Sequence, residues 1–214
     1  KSEPYEVPNL AAAEPRLLSV YPTSKVLPAN LLKFYLYFSP PMREGRAIFD
    51  QIHLIDADGN EIHAPWRRLE LWSDDAKRLT LWIHPGRVKR GVNLREELGP
   101  VLKPNANYTL LIDSTVQSAA GLTLTHSVRH QFRTTEEDFT PPNLKTWLMQ
   151  KPLPGSKEPL VVLSPEPLDH ALLQRHVTVE DPNGERVILD VQVNQTEKAW
   201  TMVPLRRWEG GTHR

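Results

Sequence analysis

Short stretches in which apolar and polar residues alternate recur along the chain. Between positions 31 and 38, every second residue is large and apolar, namely Phe34, Leu36 and Phe38. Because successive side chains of a β-strand point to opposite faces of a sheet, these three are predicted to face a core. The same alternation predicts strands at 16–21, 50–56, 66–72, 78–84, 107–113 and 126–134.

Turn signals separate these strands. Asp58-Gly59 follows the strand at 50–56, and this dipeptide is a strong hairpin signal. Seven short strands with frequent turns between 16 and 134 are typical of an all-β fold. The pattern therefore predicts a β-sandwich of the immunoglobulin type.

A long insertion at 86–104 separates the fifth predicted strand from the sixth. Inside it, residues 93–98 are predicted to form one or two helical turns. Asn93 is expected to cap this helix, and Gly99-Pro100 is expected to end it.

Two short segments of the chain are repeated. The segment 38–42 is echoed at 163–168, and the segment 56–60 is echoed at 181–185. Matching the serines of the first pair and the glycines of the second gives the same offset, 125 positions. A shared offset indicates a duplicated domain of about that length.

The repeat predicts tandem immunoglobulin-like β-sandwiches. The expected organisation is an N-terminal tail, a first sandwich, an acidic and proline-rich linker and a second sandwich, at 1–15, 16–134, 135–142 and 143–214.

The second sandwich is predicted to be incomplete. Its first strand is expected to hold Leu144, Thr146 and Leu148, or to turn Trp147 inward, and further strands are predicted at 160–163, 177–180, 187–193 and 198–205. Residues 209–214 stand where the sixth strand of the first copy begins, so the last two strands are missing. Either the chain belongs to a longer protein, or a neighbouring molecule donates the missing strand.

Composition narrows the class of protein. Among 214 residues, 26 are Lys or Arg and 26 are Asp or Glu, so the net charge is zero. This balance argues against a general nucleic-acid or anionic-membrane binder, which needs a basic excess. The absence of cysteine excludes disulfides, thiolate metal sites and cysteine nucleophiles. No apolar run approaches the roughly 20 residues of a membrane span.

An ordered set of motifs resembles the bacterial Ig-like domain family of the S-layer type. That family reads F-S-x-P-M in its second strand, Y-T-hydrophobic in its sixth, D-x-A-G-N-x-L before its seventh and F-x-T at its end. The matching segments here are 38–42, Tyr108-Thr109-Leu110, 118–124 and Phe132-Arg133-Thr134. Ser118 stands where the family usually has Asp, and the insertion at 86–104 is atypical.

The resemblance covers residues 16–134 and the front of a second unit from 143. It implies a module of an exported bacterial multidomain protein, located in the periplasm, at the cell surface or outside the cell. Such modules act as spacers, adhesive units or appendages to enzymes. The family defines no shared catalytic residues, so the resemblance implies none here.

The strands 66–72 and 78–84 suggest a binding surface. If the leucines of the first strand face the core, its tryptophans face outward, where a turn brings them beside the outer residues of the second strand. The predicted patch consists of Trp66, Arg68, Trp72, Arg78 and Trp82. Exposed rings on a sheet face can hold a sugar ring or a partner protein. The alternative is that the insertion folds over the rings and forms a small satellite core.

Neither metal nor catalytic chemistry is predicted. Asp56–Glu61 superficially resembles a calcium loop, but the spacing of its glycine is wrong for one, and the sequence favours a hairpin turn. His126 and His130 would lie about 13 Å apart on a strand, too far for one ion. No nucleophile elbow or glycine-rich phosphate loop is present. Catalytic residues, metals and cofactors are therefore not expected.

Together, these observations predict a non-enzymatic structural or interaction module of an exported bacterial protein. Its expected partners are other domains of the same protein or a surface partner. One alternative is a carbohydrate- or ligand-binding appendage that uses the outward tryptophans. Another is a non-catalytic part of a larger enzyme.

Overall fold

The chain folds into two compact, predominantly β-stranded units. The computed structural model describes residues 13–214, so residues 1–12 of the predicted tail lie outside the described part. Unit 1 comprises residues 13–20 and Lys25–Glu137, and unit 2 comprises Tyr21–Ser24 and Asp138–Arg214.

Unit 1 is a β-sandwich of two sheets. Its strands are β1 (Arg16–Tyr21), β2 (Val26–Pro28), β3 (Lys33–Ser39), β4 (Ile52–Asp56), β5 (Arg78–Trp82), β6 (Asn107–Ile112) and β7 (Val128–Thr135). One sheet has the order β1-β3-β5, and the other has the order β2-β7-β6-β4. β2 runs parallel to β7, whereas the pairs β3–β5, β4–β6 and β6–β7 are antiparallel.

The core of unit 1 lies between these two sheets, as the alternation predicts. Phe34 and Leu36 of β3 are buried in the same cluster as Leu110 and Ile112 of β6. The ring centroids of Phe34 and Phe132 lie 5.5 Å apart and connect the two layers. Fully burying one such side chain stabilises the fold by about 1.5–3 kcal/mol.

The insertion at 86–104 packs on unit 1 as two short helices, α1 (Pro85–Val88) and α2 (Asn93–Leu98). The predicted cap at Asn93 is wrong, because the N-cap residue is Val92, which makes no side-chain capping bond. Gly99 does end α2, and its φ of 73° is a conformation that glycine adopts without strain.

The side chain of Arg87 holds this insertion in place. It is buried, and its guanidinium donates hydrogen bonds to the carbonyl oxygens of His63, Leu98 and Gly99. Burial lowers the pKa of Arg87. Because these carbonyls belong to separate segments, the Arg87 guanidinium connects the end of α2 to the segment that precedes β5.

Unit 2 contains a four-stranded sheet and a small hairpin. The elements are β8 (Leu148–Gln150), β9 (Leu160–Leu163), α3 (His170–His176), β10 (Val179–Glu180), β11 (Arg186–Val187), β12 (Leu189–Val193) and β13 (Ala199–Pro204). The sheet has the order β12-β13-β9-β8, and β10 pairs with β11.

Several details of unit 2 differ from the prediction. Leu144–Thr146 is a 3-10 helix rather than the start of a strand, and the strand predicted at 187–193 is divided between β11 and β12. Helix α3 was not predicted; Asp169 caps it by accepting a 2.9 Å hydrogen bond from the backbone N–H of Leu172.

The two units share local backbone geometry. Asp56 N–H donates to the carbonyl of Asn60 at 2.9 Å, and Asp181 N–H donates to that of Glu185 at 2.8 Å. These hairpin turns lie 125 positions apart, as predicted. Each turn is held by its own aspartate carboxylate, which accepts two backbone hydrogen bonds.

The predicted match between Ser39 and Ser164 is wrong by one residue. Ser164 N–H donates to the carbonyl of Lys198, and the residue with the equivalent bond in unit 1 is Phe38, which donates to Lys77. Phe38 and Ser164 are both buried, so they point to the same side of equivalent strands. Ser164 therefore corresponds to Phe38 in the structure, although its residue type is the same as that of Ser39. Descent of both units from one ancestral domain stays a prediction.

Candidate functional site

The predicted patch of three outward tryptophans is not formed. Trp66 is only 5% exposed and belongs to the core cluster of unit 1. Trp72 packs against the same cluster, with its ring centroid 6.0 Å from that of Phe38. The outward orientation predicted for these two residues is therefore wrong, and the three rings do not form one platform.

The segment 66–72 faces inward at both ends because it is not a continuous strand. Trp66 forms an isolated bridge with Ile83, and Trp72 forms one with Leu79. Five residues separate Trp66 from Trp72, whereas three separate Leu79 from Ile83 on the partner segment. The two extra residues form a bulge that points outward. As a result Leu69, which was predicted to face the core, is 43% exposed.

The remaining residues of the predicted patch are separated. Trp82 and Arg78 lie on the outer side of β5, where Lys33 Nζ stands 5.7 Å from the Trp82 ring and Arg78 Cζ 5.9 Å from the Tyr35 ring. Arg68 instead forms an ion pair with Asp50, with 2.6 Å between nitrogen and oxygen. The hydrogen bond from Arg68 lowers the pKa of Asp50.

A different aromatic surface occurs in unit 2. A groove of about 510 Å³ runs along the inner face of its sheet. Three tryptophans line it together with aliphatic side chains of β9, β10 and β13, namely Trp147, Trp200, Trp208, Leu160, Val162, Val179 and Met202. The rings of Trp147 and Trp200 meet edge to face, with centroids 5.0 Å apart.

This groove corresponds to the face that forms the core in unit 1. In unit 1, Phe34 of β3 pairs with Leu81 of β5; in unit 2, Leu160 of β9 pairs with Met202 of β13. The four-stranded sheet β2-β7-β6-β4 covers this face in unit 1. Within residues 138–214, the covering elements are the hairpin β10–β11, α3 and the C-terminal residues.

One polar atom in the groove lacks a partner. The indole nitrogen of Trp147 is buried but has no hydrogen-bond partner within the described part of the chain. A buried donor without a partner costs about 1–3 kcal/mol of stability. The wall of the groove is largely apolar, and the polar residues that also line it include Lys151, Thr178 and Arg214.

Sequence reasoning missed this groove although a signal for it was present. The predicted tryptophan surface was confined to the strands 66–72 and 78–84. Trp147, Trp200 and Trp208 are visible in the sequence, but their common location follows from the pairing of β13 with β9.

Among residues 13–214, no group of three or more His, Asp or Glu side chains could hold a metal ion. Within the same residues, none of the helices has both the length and the apolar character needed to cross a membrane.

Comparisons with known proteins yield distant structural likenesses. No protein-family model matches the chain, and no curated protein matches it in sequence. The N-terminal part of the bacterial S-layer protein SbsC is 16% identical, with a TM-score of 0.40 over 85% of this chain and 34% of that one. A segment of Escherichia coli alpha-2-macroglobulin spanning domains MG0-NIE-MG1 is 19% identical, with a TM-score of 0.37 over 71% and 41%.

E. coli alpha-2-macroglobulin in its native conformation is also similar, at 19% identity and a TM-score of 0.37. This chain spans 8% of that protein's length.

Proposed function

We propose that the chain is a non-enzymatic structural and interaction module of a larger exported bacterial protein. Its interaction surface is the apolar groove of unit 2, and the class of partner is polypeptide. The motifs shared with bacterial Ig-like domains, from Phe38-Ser39-Pro40-Pro41-Met42 to Phe132-Arg133-Thr134, support the assignment to exported bacterial modules.

The observation that carries the proposal is the inner face of the unit 2 sheet. Trp200 and Met202 of β13 alternate toward this face, in the same way that Leu79 and Leu81 of β5 alternate toward the core of unit 1. Trp200 and Met202 are themselves buried, and Met149 provides exposed apolar surface at the groove. An apolar lining of this kind is typical of the central part of protein–protein contacts. Because the matching face of unit 1 is covered by β-strands, polypeptide is the partner whose shape and chemistry fit.

A labelled peptide with the sequence of Asn107–Asp113, which is the strand that covers unit 1, provides a direct test. Fluorescence anisotropy is expected to show binding to the 214-residue chain with a dissociation constant of roughly 10 µM to 1 mM, since a free peptide loses conformational freedom when it binds.

Two matched variants locate the binding. Met149 lines the groove and is 57% exposed, whereas Ile188 lies elsewhere on unit 2 and is 68% exposed. Met149→Lys is expected to weaken peptide binding at least about five-fold, because it places a charge against apolar surface. Ile188→Lys is expected to leave binding unchanged. Equal effects of the two substitutions, or no binding at millimolar peptide, would contradict the proposal.

A further inference from the structure

We propose that two copies of this chain associate through strand β8, with the two β8 strands antiparallel and Met149 of one copy opposite Met149 of the other. The partner is therefore a second copy of the same polypeptide, and the two unit 2 sheets join into one continuous sheet. This inference goes beyond the proposed function, because it uses the edge of the sheet rather than the groove on its inner face.

Strand β8 lies at an edge of the unit 2 sheet. The order β12-β13-β9-β8 places β12 at the other edge, where helix α3 packs beside it. Among residues 13–214, no strand pairs with the outer side of β8. All three residues of β8 are exposed, and none of them is charged. An edge strand without charges is a template on which another strand can pair.

The hydrogen bonds of the neighbouring strand show which way its backbone groups point. Ser164 N–H donates to the carbonyl of Lys198 at 2.7 Å, so the backbone groups of Ser164 point toward β13. These groups point to opposite sides at successive residues of an antiparallel strand. Those of Val162 therefore also point toward β13, and those of Val161 and Leu163 point toward β8.

The same alternation assigns the backbone groups of β8. Leu148 stands opposite Leu163 and Gln150 stands opposite Val161, so the N–H and C=O groups of Leu148 and Gln150 point toward β9. The N–H and C=O groups of Met149 then point in the other direction, toward the open edge. Met149 can thus receive a further strand without giving up any bond to β9.

A two-fold axis at Met149 satisfies these groups reciprocally. In an antiparallel pair of β8 strands, each Met149 N–H donates to the C=O of the other Met149, which makes a hydrogen-bonded pair. One step further along, Lys151 of one copy stands opposite Trp147 of the other. The Trp147 N–H already donates to Leu144 at 3.3 Å, but the Trp147 carbonyl can accept from the Lys151 N–H.

The side chains fit the same register. Met149, Val162 and Trp200 lie side by side on the inner face of the sheet, and Met149 is 57% exposed. The two-fold axis brings the two Met149 side chains together, where their flexible thioethers can pack against each other. The Lys151 ammonium of each copy reaches the Trp147 ring of the other, a favourable cation–π contact rather than a repulsion between like charges.

The short strand limits the affinity of this association. Pairing of β8 alone buries less surface than the roughly 1,200–2,000 Å² of a stable interface. The chain carries 26 basic and 26 acidic residues, so no net charge drives two copies apart. The expected dissociation constant of the dimer is about 0.1–1 mM.

Disulfide formation tests the register. The chain has no cysteine, so an introduced cysteine is its only thiol. The Cα atoms of a hydrogen-bonded antiparallel pair lie about 5.5 Å apart, a distance that a disulfide spans. Met149→Cys is therefore expected to form a covalent dimer at least about five-fold faster than Gln150→Cys in a glutathione redox buffer. Gln150→Cys is the matched control, because Gln150 of one copy stands opposite Leu148 of the other.

A proline substitution tests the backbone pairing. Met149→Pro removes an N–H that points to the open edge and leaves the bonds to β9 in place. Met149→Ala shortens the side chain to a similar extent but keeps the N–H. Sedimentation equilibrium up to about 1 mM protein is expected to show dimers of the wild type and of Met149→Ala, and at least about ten-fold weaker association of Met149→Pro. Circular dichroism checks that both variants are folded, and the cysteine rates decide the question if Met149→Pro is not.

Three results would overturn the inference: equal rates of disulfide formation for the two cysteines, a wild type that stays monomeric at about 1 mM, or undiminished association of Met149→Pro. The outcome is independent of the proposed function. Binding of the 107–113 peptide without dimers leaves the proposed function standing and ends this inference. Dimers without peptide binding have the opposite meaning.

Discussion

The indole N–H of Trp66 donates a 2.8 Å hydrogen bond to the backbone carbonyl of Ile52. Trp66 bridges to the strand segment after β5, whereas Ile52 begins β4 in the opposite sheet. The bond therefore connects the two layers of unit 1 across its core. A residue that the alternation assigned to a surface patch instead connects the sheets.

Replacing Trp66 tests this role. Trp66→Phe is expected to destabilise unit 1 by roughly 2–4 kcal/mol, because it removes buried volume and leaves the Ile52 carbonyl without its partner. Trp82→Phe is the matched control: the Trp82 indole nitrogen has no hydrogen-bond partner within the described residues, so the expected loss is below about 1 kcal/mol. Urea unfolding monitored by circular dichroism measures the free energy of unfolding of both variants. Equal losses of stability in the two variants would show that Trp66 does not connect the sheets as described.

The insertion at 86–104 depends on Arg87. Arg87→Met keeps an unbranched apolar stem but removes every donor to the carbonyls of His63, Leu98 and Gly99. The expected cost is roughly 2–4 kcal/mol, with faster hydrogen exchange across the insertion. Lys89→Met, at an exposed neighbouring position, is expected to change neither quantity. Unchanged exchange in the Arg87 variant would show that other contacts hold the insertion.

His130 makes the stability of unit 1 sensitive to acid. Burial, followed by the charge of Lys25, lowers the pKa of His130 from 6.5 to about 4. Below pH 6.5 the unfolded chain binds a proton at this site that the folded chain does not bind, so stability falls as the pH drops from 6.5 toward 4. The free energy of unfolding falls by roughly 1–3 kcal/mol over this range. It falls no further at this site below the pKa that His130 has in the folded chain.

His130→Leu is expected to remove this part of the pH dependence, whereas His126→Leu, at an exposed position, is expected to retain it. Guanidinium unfolding between pH 4 and pH 7 measures the difference between each variant and the wild type. An NMR titration that places the His130 pKa near 6.5 would contradict the expectation directly.

The turn before β5 contains a residue in an unfavourable conformation. Ala76 has a φ of 53°, in the left-handed region, and Glu197 in the corresponding turn of unit 2 has a φ of 58°. Ala76→Gly relieves the steric cost of this conformation and is expected to stabilise unit 1 by about 0.5–1 kcal/mol. Ala106→Gly, outside the left-handed region, is expected to destabilise it. Thermal unfolding distinguishes the two, and a loss of stability in the Ala76 variant would refute the argument.

Alternation identified the strands of unit 1 because each strand has one buried face. Phe34 and Leu36 are fully buried as predicted, and so are Leu110 and Ile112. Each of these pairs lies on a regular strand, where the side-chain period of two holds. For such elements the sequence is sufficient to predict both the strand and its inward face.

The prediction failed where the period was interrupted. Two extra residues between Trp66 and Trp72 cannot be recognised from alternation, because the letters between them still read as a strand. The groove of unit 2 was missed for another reason. Its walls come from β9, β10 and β13, and the pairing that brings Trp200 toward Trp147 depends on contacts that are distant in the sequence.

The hydrogen bonds of Arg87 affect which substitutions the insertion at 86–104 tolerates. At Leu98 and Gly99 the guanidinium binds only main-chain oxygens. These hydrogen bonds therefore do not depend on which side chains the two positions carry. Mutations can accumulate along the outer surface of the two short helices while their anchorage persists. Exposed positions such as Glu96 and Glu97 are thus free to vary, whereas Val101 and Leu102 of the same insertion belong to the core of unit 1 and are not.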